Sequence, residues 1–283
     1  MQKLENFQID DYLKMALKED VTHEDVTTNA IYTEPKNASV ELLAKEEGII
    51  AGIDVFKRVF QLIDSDVKFE IYKLDGDSVK KGDLVAKIFA DVRTLLTGER
   101  TALNYMQRMS GVATYANKLV KALNDPHTQI VDTRKTTPNM RLFEKYAATV
   151  GGAKNHRYNL SDAILLKDNH IAAAGSVFEA VNMARDYASF VTKIEVEVEN
   201  LEMVREAVDA GADIIMLDNM DVNTIKKAIE IINGTAYIEL SGNVSLENVE
   251  QYRGLGADFI SSGSITHSSK ILDLSMKNLK IED

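Results

Sequence analysis

The sequence predicts an α/β protein built from a small α+β region and a longer region of repeating strands and helices. Beyond about residue 125, short apolar strands alternate with helical segments, which indicates parallel strands joined by crossovers. Up to about residue 90, short alternating strands accompany amphipathic helices, which is typical of a small α+β unit. Polar or charged residues follow each later strand, and such strand ends form binding rims.

Composition limits the class of protein. The chain has 283 residues, of which 45% are hydrophobic and 27% are charged, enough for one large or two ordinary domains. It lacks cysteine, which excludes disulfides and cysteine nucleophiles, and its five histidines show no paired metal spacing. A net charge of −11 argues against a nucleic-acid partner. Since no apolar run approaches about 20 residues and no signal peptide is recognised, we expect a cytoplasmic protein with no membrane partner.

The first region is predicted to contain two helices and several short strands. The helices lie near Ile9–Lys18 and Ile53–Ile63, and the strands lie in "SVELLAKE" and "VKFEIY". The turn-rich stretch "DGDSVKKGDLVAKI" predicts a compact pair of strands.

Residues 94–123 are predicted to form two helices broken at Gly111, which bridge the two regions. Arg100, Asn104 and Arg108 recur every four residues and therefore share one helical face. Taken alone, such a stripe is typical of solvated surface.

The second region repeats a strand and a helix. Its later strands begin roughly every 20 to 23 residues, near the minimum for a strand and its crossover helix, so both a barrel and a doubly wound sheet fit. The predicted helices lie near 176–188, 201–210, 221–232 and 245–254. The predicted strands are "TQIVDT", "DAILLKD", "KIEVEVE", "ADIIMLD", "AYIELSG" and "ADFISSG".

Chemically active residues stand at the carboxyl ends of these strands. Because parallel strands end at the same rim, we expect these residues to surround one substrate site. In chain order they are Arg134 and Lys135, Lys167, Glu197, Asp218, the turn Ser241-Gly242-Asn243 and the turn Ser262-Gly263-Ser264.

The strand "KIEVEVE" places its glutamates on one face and its valines and isoleucine on the other. If apolar helices cover the outer face of the sheet, the glutamates point inward. A buried carboxylate is costly unless it is paired, so at least one glutamate should contact a cation or a metal. The alternative is an edge strand with a solvated acidic face.

Several cations and two carboxylates are predicted to share the rim. "DTRKTTPNMR" follows the first strand, and "GGAKNHR" adds His156 and Arg157, so a small ligand with more than one negative group is expected. Glu197 and Asp218 suit Mg²⁺, bound directly or through the substrate. The two Ser/Gly turns, with their backbone N–H groups, form a phosphate cradle.

The sequence resembles the quinolinate phosphoribosyltransferases, also called carboxylating nicotinate-nucleotide pyrophosphorylases. The resemblance covers nearly the whole chain, including "KEDVTHEDVTT" near the start. It is carried, in order, by "GERTALN", "SGVAT", "DTRKTTP", "RLFEKYA", "GGAKNHR", "LLKDNH", "EVEVEN", "MLDN", "ELSGNV" and "SGSITHS".

The resemblance implies an N-terminal α/β sandwich over residues 1–112 and a C-terminal incomplete, TIM-like α/β barrel over 113–269. A tail, 270–283, is expected to pack on the first domain. The family also implies a homodimer in which a neighbour's N-terminal region closes each site, with Arg100 supplied across the interface; a higher oligomer is left open.

The implied reaction joins quinolinate to phosphoribosyl pyrophosphate and releases pyrophosphate and CO₂ to give nicotinate mononucleotide, a step of NAD biosynthesis. The resemblance assigns Arg100, Arg134, His156, Arg157 and Lys167 to the quinolinate carboxylates. Lys135, Lys167, Glu197 and Asp218 are the expected catalytic residues, Mg²⁺ the expected cofactor, and Glu197 and Asp218 its residues. The remaining substrate-binding residues are expected to be Thr133, Lys135, Glu197, Asp218, Ser241, Gly242, Asn243, Ser262, Gly263 and Ser264.

Three alternatives remain at this stage. A nicotinate phosphoribosyltransferase shares the broad fold but binds one carboxylate, and a pyrophosphorylase associated with molybdenum-transport genes shares many motifs but uses another base. The third is a non-catalytic binding protein that kept the barrel. Asn139 and Asn243 stand where glycine is frequent in the family, and asparagine tolerates the left-handed backbone expected there.

Overall fold

The computed structural model describes residues 3–282, which form two compact units. The first contains the chain up to Asn117, then Thr137–Gly152 and the residues from Ser269 onward. The second contains Lys118–Thr136 and Ala153–Ser268. The predicted fold class, an N-terminal region with its own sheet and a C-terminal parallel α/β region, is confirmed.

The first unit is built around an antiparallel sheet of four strands in the order β12-β1-β5-β3, with a separate two-stranded sheet, β2-β4. Alternation explains the core, because Val40, Leu42 and Ala44 of β1 are all buried. The strands are β1 (Asn37–Ala44), β2 (Gly48–Ile49), β3 (Lys68–Ile71), β4 (Ser78–Val79), β5 (Leu84–Asp91) and β12 (Leu274–Ile281).

The helices of this unit include both predicted ones. Helix α3 covers the predicted range and buries Val55, Phe56, Val59 and Phe60 on one stripe. The helices are α1 (Asn6–Asp20), α2 (Val26–Ile31), α3 (Ile53–Ile63), α4 (Val92–Leu123, whose residues from Lys118 belong to the second unit) and α5 (Arg141–Val150).

The predicted pairing of the two strands in "DGDSVKKGDLVAKI" is wrong. Strand β4 pairs with β2, whereas β5 lies between β1 and β3 in the larger sheet. The turn between them is closed by hydrogen bonds between Lys80 and Asp83, 3.0 Å each. This turn changes sheets because β1 offers β5 a long partner, in continuous register from Asn37 to Leu42.

The predicted helix break at Gly111 is also wrong, since α4 is one helix of 32 residues. A Cβ atom at Gly111 would lie 2.0 Å from the carbonyl oxygen of Lys270. Glycine costs only about 1 kcal/mol in a helix interior, so it does not have to end the helix. Here it permits the close approach of another backbone segment.

The assignment of 137–152 to the first unit differs from the predicted boundaries, which give 113–269 to one continuous domain. Within this unit, Asn117 Nδ2 donates to the Gly151 carbonyl at 3.3 Å. A Cβ at Gly151 would lie 2.3 Å from the Ala113 carbonyl oxygen. These close contacts tie the α5 segment to α4 and explain the difference.

The second unit contains a six-stranded sheet in the order β6-β11-β10-β9-β8-β7, in which every pairing is parallel. Each predicted strand is present. Strand β8 lies between β7 and β9, so the edge-strand alternative is wrong. The strands are β6 (Gln129–Val131), β7 (Ile164–Leu166), β8 (Ile194–Val198), β9 (Ile214–Asp218), β10 (Tyr237–Ser241) and β11 (Phe259–Ser261).

Three of the four predicted crossover helices are confirmed, and the fourth is shorter than predicted. In place of a helix over 245–254 there is a 3-10 turn, Val249–Tyr252. The backbone is extended at Arg253, directly after this turn, and Gly254 has a φ of 70° and donates its N–H to Asp125. The helices are α6 (Asp168–Ala174), α7 (Val177–Tyr187), α8 (Leu201–Asp209), α9 (Val222–Ile232) and α10 (Ser264–His267). Within residues 3–282, no helix has both the length and the apolar character required to cross a bilayer.

Candidate active site

A cavity of about 580 Å³ lies in the second unit at the carboxyl ends of the parallel strands. Its size suits a small-molecule site. Residues at the ends of all six strands contribute to its wall, as the shared rim predicts. The predicted residues that line it are Thr133, Arg134, Lys135, His156, Arg157, Lys167, Glu197, Asp218, Ser241, Gly242, Asn243, Gly263 and Ser264.

Two arginines share one side of this cavity. The Arg157 guanidinium donates to the Ala163 carbonyl at 2.9 Å, which orients it. Burial, followed by the positive charge of Arg134, lowers the pKa of Arg157. An anionic ligand between these groups would relieve the repulsion between two like charges.

Asp132 fixes the position of the segments that carry these arginines. It is fully buried, and its carboxylate accepts the backbone N–H of His156 at 2.9 Å. A parallel bridge joins Val131 to Lys154 in the same place. The two segments are thereby held together, and Asp132 is a supporting residue that the sequence analysis did not single out.

Lys167 and Glu197 form an ion pair across neighbouring strands, since Lys167 follows β7 and Glu197 lies on β8. Both line the cavity. The expectation that a glutamate of "KIEVEVE" meets a cation is confirmed. Because Lys167 already bonds one oxygen of Glu197, this carboxylate has less capacity for direct metal binding.

A buried cluster of one histidine and two glutamates lies beside the cavity, and two of its members, His156 and Glu239, line it. His156 Nε2 lies 3.1 Å from Glu195 Oε2 and 3.3 Å from Glu239 Oε2. Burial by itself lowers the pKa of His156, but the hydrogen bonds to the two carboxylates outweigh it and raise the pKa to about 10. Burial raises the pKa of Glu195.

These three side chains also have donor atoms within 4.8 Å of one another, close enough for one metal ion. However, His156, with its pKa raised to about 10, is protonated at neutral pH and therefore carries a hydrogen on Nε2. The atom that faces the two glutamates is therefore a donor, so the arrangement suits a proton better than a metal.

The turn after β10 has a backbone that requires glycine. Gly242 has a φ of 115°, and a Cβ there would lie 2.8 Å from the Asn219 backbone nitrogen. Asn243 and Asn219 have φ values of 47° and 52°, so the left-handed conformation expected at Asn243 is confirmed. Asn139, in the first unit, is confirmed likewise at 63°.

The turn after β11 is held by a hydrogen bond from a buried side chain. Ser262 is buried, and its hydroxyl donates to the Val244 carbonyl at 2.7 Å, so it supports the turn and does not line the cavity. Gly263 lets other side chains approach, because a Cβ there would lie 2.9 Å from Lys135 Cδ and 3.0 Å from the His267 ring.

Arg100 is exposed on α4 and is not among the residues that line this cavity. Asn219 and Glu239 are among the lining residues that were not predicted as site residues. Strand alternation could have identified Glu239, since it lies two residues before Ser241 and therefore on the same face of β10.

Two family models, which together match most of the chain, show the family of this protein. The model of the quinolinate phosphoribosyl transferase N-terminal domain matches residues 25–110, and that of the C-terminal domain matches residues 112–277. The chain belongs to the quinolinate phosphoribosyl transferase family. The resemblance drawn from the sequence motifs is thereby confirmed.

Curated members of the quinolinate phosphoribosyl transferase family align over nearly the whole chain. A probable nicotinate-nucleotide pyrophosphorylase [carboxylating] of Bacillus subtilis is 42% identical over 96% of this chain and 94% of its own length. The protein of the same name from Synechocystis is 43% identical over 95% of this chain and 92% of its own.

Solved structures agree with this family assignment. NadC from Streptococcus pyogenes has a TM-score of 0.98 at 54% identity, and the match covers 100% of both chains. The nicotinate-nucleotide pyrophosphorylase from Francisella tularensis has a TM-score of 0.93 at 37% identity over 98% of both chains. Human nicotinic acid phosphoribosyltransferase, at 12% identity and a TM-score of 0.62, shares the fold alone.

Proposed function

We propose that this protein transfers the phosphoribosyl group of phosphoribosyl pyrophosphate to quinolinate, with loss of CO₂, to form nicotinate mononucleotide and pyrophosphate. The observation that carries the proposal is the repulsion between Arg134 and Arg157 in one cavity, which Lys167 also lines. Three cationic groups match a base with two carboxylates. Relatives that bear the name of this activity are about 40% identical over nearly their whole length.

The phosphoribosyl group fits the two glycine-containing turns, after β10 and after β11. Backbone N–H groups of Gly242, Asn243 and Gly263 belong to tight turns at the cavity, the arrangement that binds phosphate in many proteins. Lys135 lies across Gly263 and adds a positive charge there. Asp218 and Glu197 lie between the two halves and suit the ribose hydroxyls.

The reaction needs positioning and charge more than covalent catalysis. The pyridine nitrogen forms a bond to the anomeric carbon as the bond to pyrophosphate breaks, and positive charge develops on the sugar. The ribosylated nitrogen is cationic, so the neighbouring carbon can hold the electron pair that remains when CO₂ leaves. A proton then takes the place of the carboxylate on that carbon.

Mg²⁺ is proposed as the cofactor, and Asp218 fits it better than Glu197. Asp218 Oδ2 accepts a hydrogen bond from a neutral donor, Asn219 Nδ2, at 2.6 Å, whereas Glu197 is paired with Lys167. A carboxylate oxygen of this kind suits Mg²⁺, which commonly binds one or two carboxylates together with substrate phosphates. When bound, the ion would neutralise the departing pyrophosphate.

The substrate proposal is tested by product analysis. The purified protein is incubated with phosphoribosyl pyrophosphate, Mg²⁺ and, separately, quinolinate or nicotinate. We expect pyrophosphate, CO₂ and nicotinate mononucleotide in equal amounts from quinolinate, and little product from nicotinate. Turnover of nicotinate, or of another base with no CO₂, would favour a related phosphoribosyltransferase or the molybdenum-associated pyrophosphorylase.

A homodimer that supplies Arg100 across its interface is part of the proposal. It is supported by the exposure of Arg100, on a helical face shared with Asn104. An Arg100→Ala chain mixed with an Arg157→Ala chain should regain part of the activity that each lacks, because one site of the mixed dimer is then intact. If subunit exchange is confirmed and no activity returns, Arg100 is an ordinary surface residue. A cytoplasmic location stays a prediction.

A further inference from the structure

Three buried side chains that carry hydroxyl groups follow strand β11 at every second position. They are Ser262, Ser264 and Thr266, and all three are buried. The first two hold the turn after β10, because the Ser262 and Ser264 hydroxyls donate to the Val244 carbonyl at 2.7 and 3.1 Å. The third hydroxyl, on Thr266, reaches a different loop, and nothing in the mechanism above uses it.

The Thr266 hydroxyl binds the loop after β6. Its Oγ1 lies 2.7 Å from the Lys135 carbonyl oxygen and 3.2 Å from the Gly263 carbonyl oxygen of its own turn. Because a hydroxyl has one hydrogen to donate, the shorter distance identifies the Lys135 carbonyl as the main acceptor. This bond joins residues 131 positions apart in the chain, so it holds one loop of the cavity against another.

The order of the strands explains why the segment after β11 makes these bonds. In the sheet, β11 lies between β6 and β10. The loops after these three strands are therefore neighbours at the rim of the cavity. Since the middle segment bonds the loop on each side, through Val244 and through Lys135, it sets the spacing of all three loops.

Lys135 depends on this support because its side chain is long and exposed. Its backbone N–H donates to Thr133 Oγ1 at 3.0 Å, and its carbonyl accepts from Thr266, so hydroxyl groups hold both of its peptide groups. The side chain then passes Gly263, where an added Cβ would lie 2.9 Å from Lys135 Cδ. A lysine whose backbone is fixed has less conformational freedom to lose when it binds a phosphate.

We infer that Thr266 is a positioning residue for phosphoribosyl pyrophosphate, because its hydroxyl holds Lys135 beside the turn at Gly263 where a phosphate of the substrate binds. This inference rests on the proposed function. Thr266 is not among the residues that line the cavity, so it acts through Lys135. No bond of the substrate forms or breaks at Thr266, and its contribution is to fix the geometry of the site before the substrate binds.

Two substitutions of Thr266 separate its hydroxyl from its shape. Thr266→Val keeps the shape and removes the hydroxyl, whereas Thr266→Ser keeps the hydroxyl. We expect the KM for phosphoribosyl pyrophosphate to rise about 10-fold in Thr266→Val, with kcat and the KM for quinolinate within about threefold, and to return toward the wild-type value in Thr266→Ser. An unchanged KM for phosphoribosyl pyrophosphate in Thr266→Val, an equal rise for both substrates, or a serine variant as impaired as the valine variant would overturn the inference.

A double variant tests whether Thr266 acts through Lys135. Once the lysine side chain is removed, there is nothing left for Thr266 to position. The KM of Lys135→Ala/Thr266→Val for phosphoribosyl pyrophosphate should therefore lie within about twofold of that of Lys135→Ala alone. If the two effects multiply instead, Thr266 acts independently of Lys135 and the inference is wrong.

Thr128→Val is the matched control. Thr128 is also buried, and its hydroxyl donates to the Ala257 carbonyl at 2.7 Å. This bond joins the chain at the amino ends of β6 and β11, the same pair of parallel strands, whereas the Thr266 bond joins it beyond their carboxyl ends. Both valine variants should unfold at a lower temperature, but only Thr266→Val should raise the KM for phosphoribosyl pyrophosphate. An equal rise in both variants would attribute the effect to lost stability and would reject the inference. If Thr266→Val does not fold, Thr266→Ala, which also removes the hydroxyl, replaces it in every comparison.

The inference and the proposed function fail in different ways. A wild-type protein that releases no pyrophosphate from phosphoribosyl pyrophosphate and quinolinate rejects the function and the role of Thr266 with it. A wild-type protein that forms nicotinate mononucleotide, together with a Thr266→Val variant of unchanged KM, rejects the role of Thr266 alone.

Discussion

At the scale of single residues, two like charges lie close together in the cavity, where a bound anion would compensate them. Arg134 and Arg157 repel each other across part of the cavity, and burial strengthens the repulsion. The Arg157 side chain is oriented by its bond to the Ala163 carbonyl, and the buried Asp132 holds the neighbouring backbone of His156. Binding of a dianionic base would offset the free energy of repulsion between the two arginines.

Arg157→Ala should weaken quinolinate binding by about 2 to 5 kcal/mol, because a charged partner in an enclosed site is lost. Binding of phosphoribosyl pyrophosphate should change far less, and calorimetric titration of each substrate measures both. Arg185→Ala is the matched control, since Arg185 pairs with Asp213 in the same unit and does not line the cavity. Equal losses for both substrates in Arg157→Ala would contradict the division of the cavity into a base side and a phosphoribosyl side.

Gly242→Ala should destabilise the protein more than Gly234→Ala. Both glycines have positive φ, 115° and 76°, so both substitutions strain the backbone. At Gly242 the new Cβ would also press on the Asn219 backbone, whereas at Gly234 it would have no heavy atom of residues 3–282, its chain neighbours apart, within 4 Å. Urea unfolding should show a difference of about 2 kcal/mol between the variants. Equal losses of unfolding free energy in the two variants would mean that the backbone at Asn219 can move away from the new Cβ at no free-energy cost.

At the scale of elements, strand alternation and strand spacing predicted most of the second unit. The inward face of "KIEVEVE" was correct because a parallel interior strand buries its valines against helices, and this also led to Glu197. Glu239 was missed, although "YIELS" carries the same alternation. Pairing partners were harder to predict: the hairpin expected around Lys80 and Asp83 changes sheets, and only the long register of β1 with β5 explains why.

Glycine was the other source of error, since sequence alone does not tell a helix break from a close contact. At Gly111 the helix continues, and the backbone of Lys270 occupies the space where a side chain would be. The three residues that were predicted to share one helical face, Arg100, Asn104 and Arg108, also differ in their surroundings. Arg108 bonds the buried Glu144 at 2.7 Å, whereas Arg100 and Asn104 stay exposed.

Gly111→Ala tests this explanation. In an ordinary helix the change stabilises by about 1 kcal/mol, but here a Cβ 2.0 Å from a carbonyl oxygen should reverse the sign and cost about 2 kcal/mol. Gly98→Ala, in the same helix, would meet only side-chain atoms of Phe60 and Ile63, which can shift more easily. We therefore expect a smaller loss of unfolding free energy for Gly98→Ala. A stabilised Gly111→Ala variant would refute the close-contact explanation.

At the scale of the whole molecule, a chain with a net charge of −11 places four lysines and arginines around one cavity, namely Arg134, Lys135, Arg157 and Lys167. The His156 cluster links this site to the stability of the folded protein. Burial alone would lower the pKa of His156, but the bonds to Glu195 and Glu239 raise it to about 10. The folded protein therefore holds a proton that the unfolded chain releases near pH 6.5.

The free energy of unfolding should consequently be greatest below about pH 6.5 and should fall as the pH rises toward 10. The slope contributed by one proton is at most about 1.4 kcal/mol per pH unit. Urea unfolding of the wild type, His156→Gln and His127→Gln between pH 6 and pH 10 measures it. His127→Gln, which changes an exposed histidine, should keep the wild-type slope, whereas His156→Gln should flatten it. If unfolding free energy changed with pH in parallel for all three proteins, a stabilising role for the His156, Glu195 and Glu239 cluster would be excluded.

Cationic side chains from separate strand ends are expected to bind the two carboxylates of one base within one cavity. A crystal structure of the protein with quinolinate shows whether they do. The two carboxylates should lie within hydrogen-bond distance of Arg134, Arg157 and Lys167, with the ring nitrogen turned toward Asp218 and the glycine turns. Quinolinate bound outside this cavity, or within it with its carboxylates away from the two arginines, would rule out the proposed site.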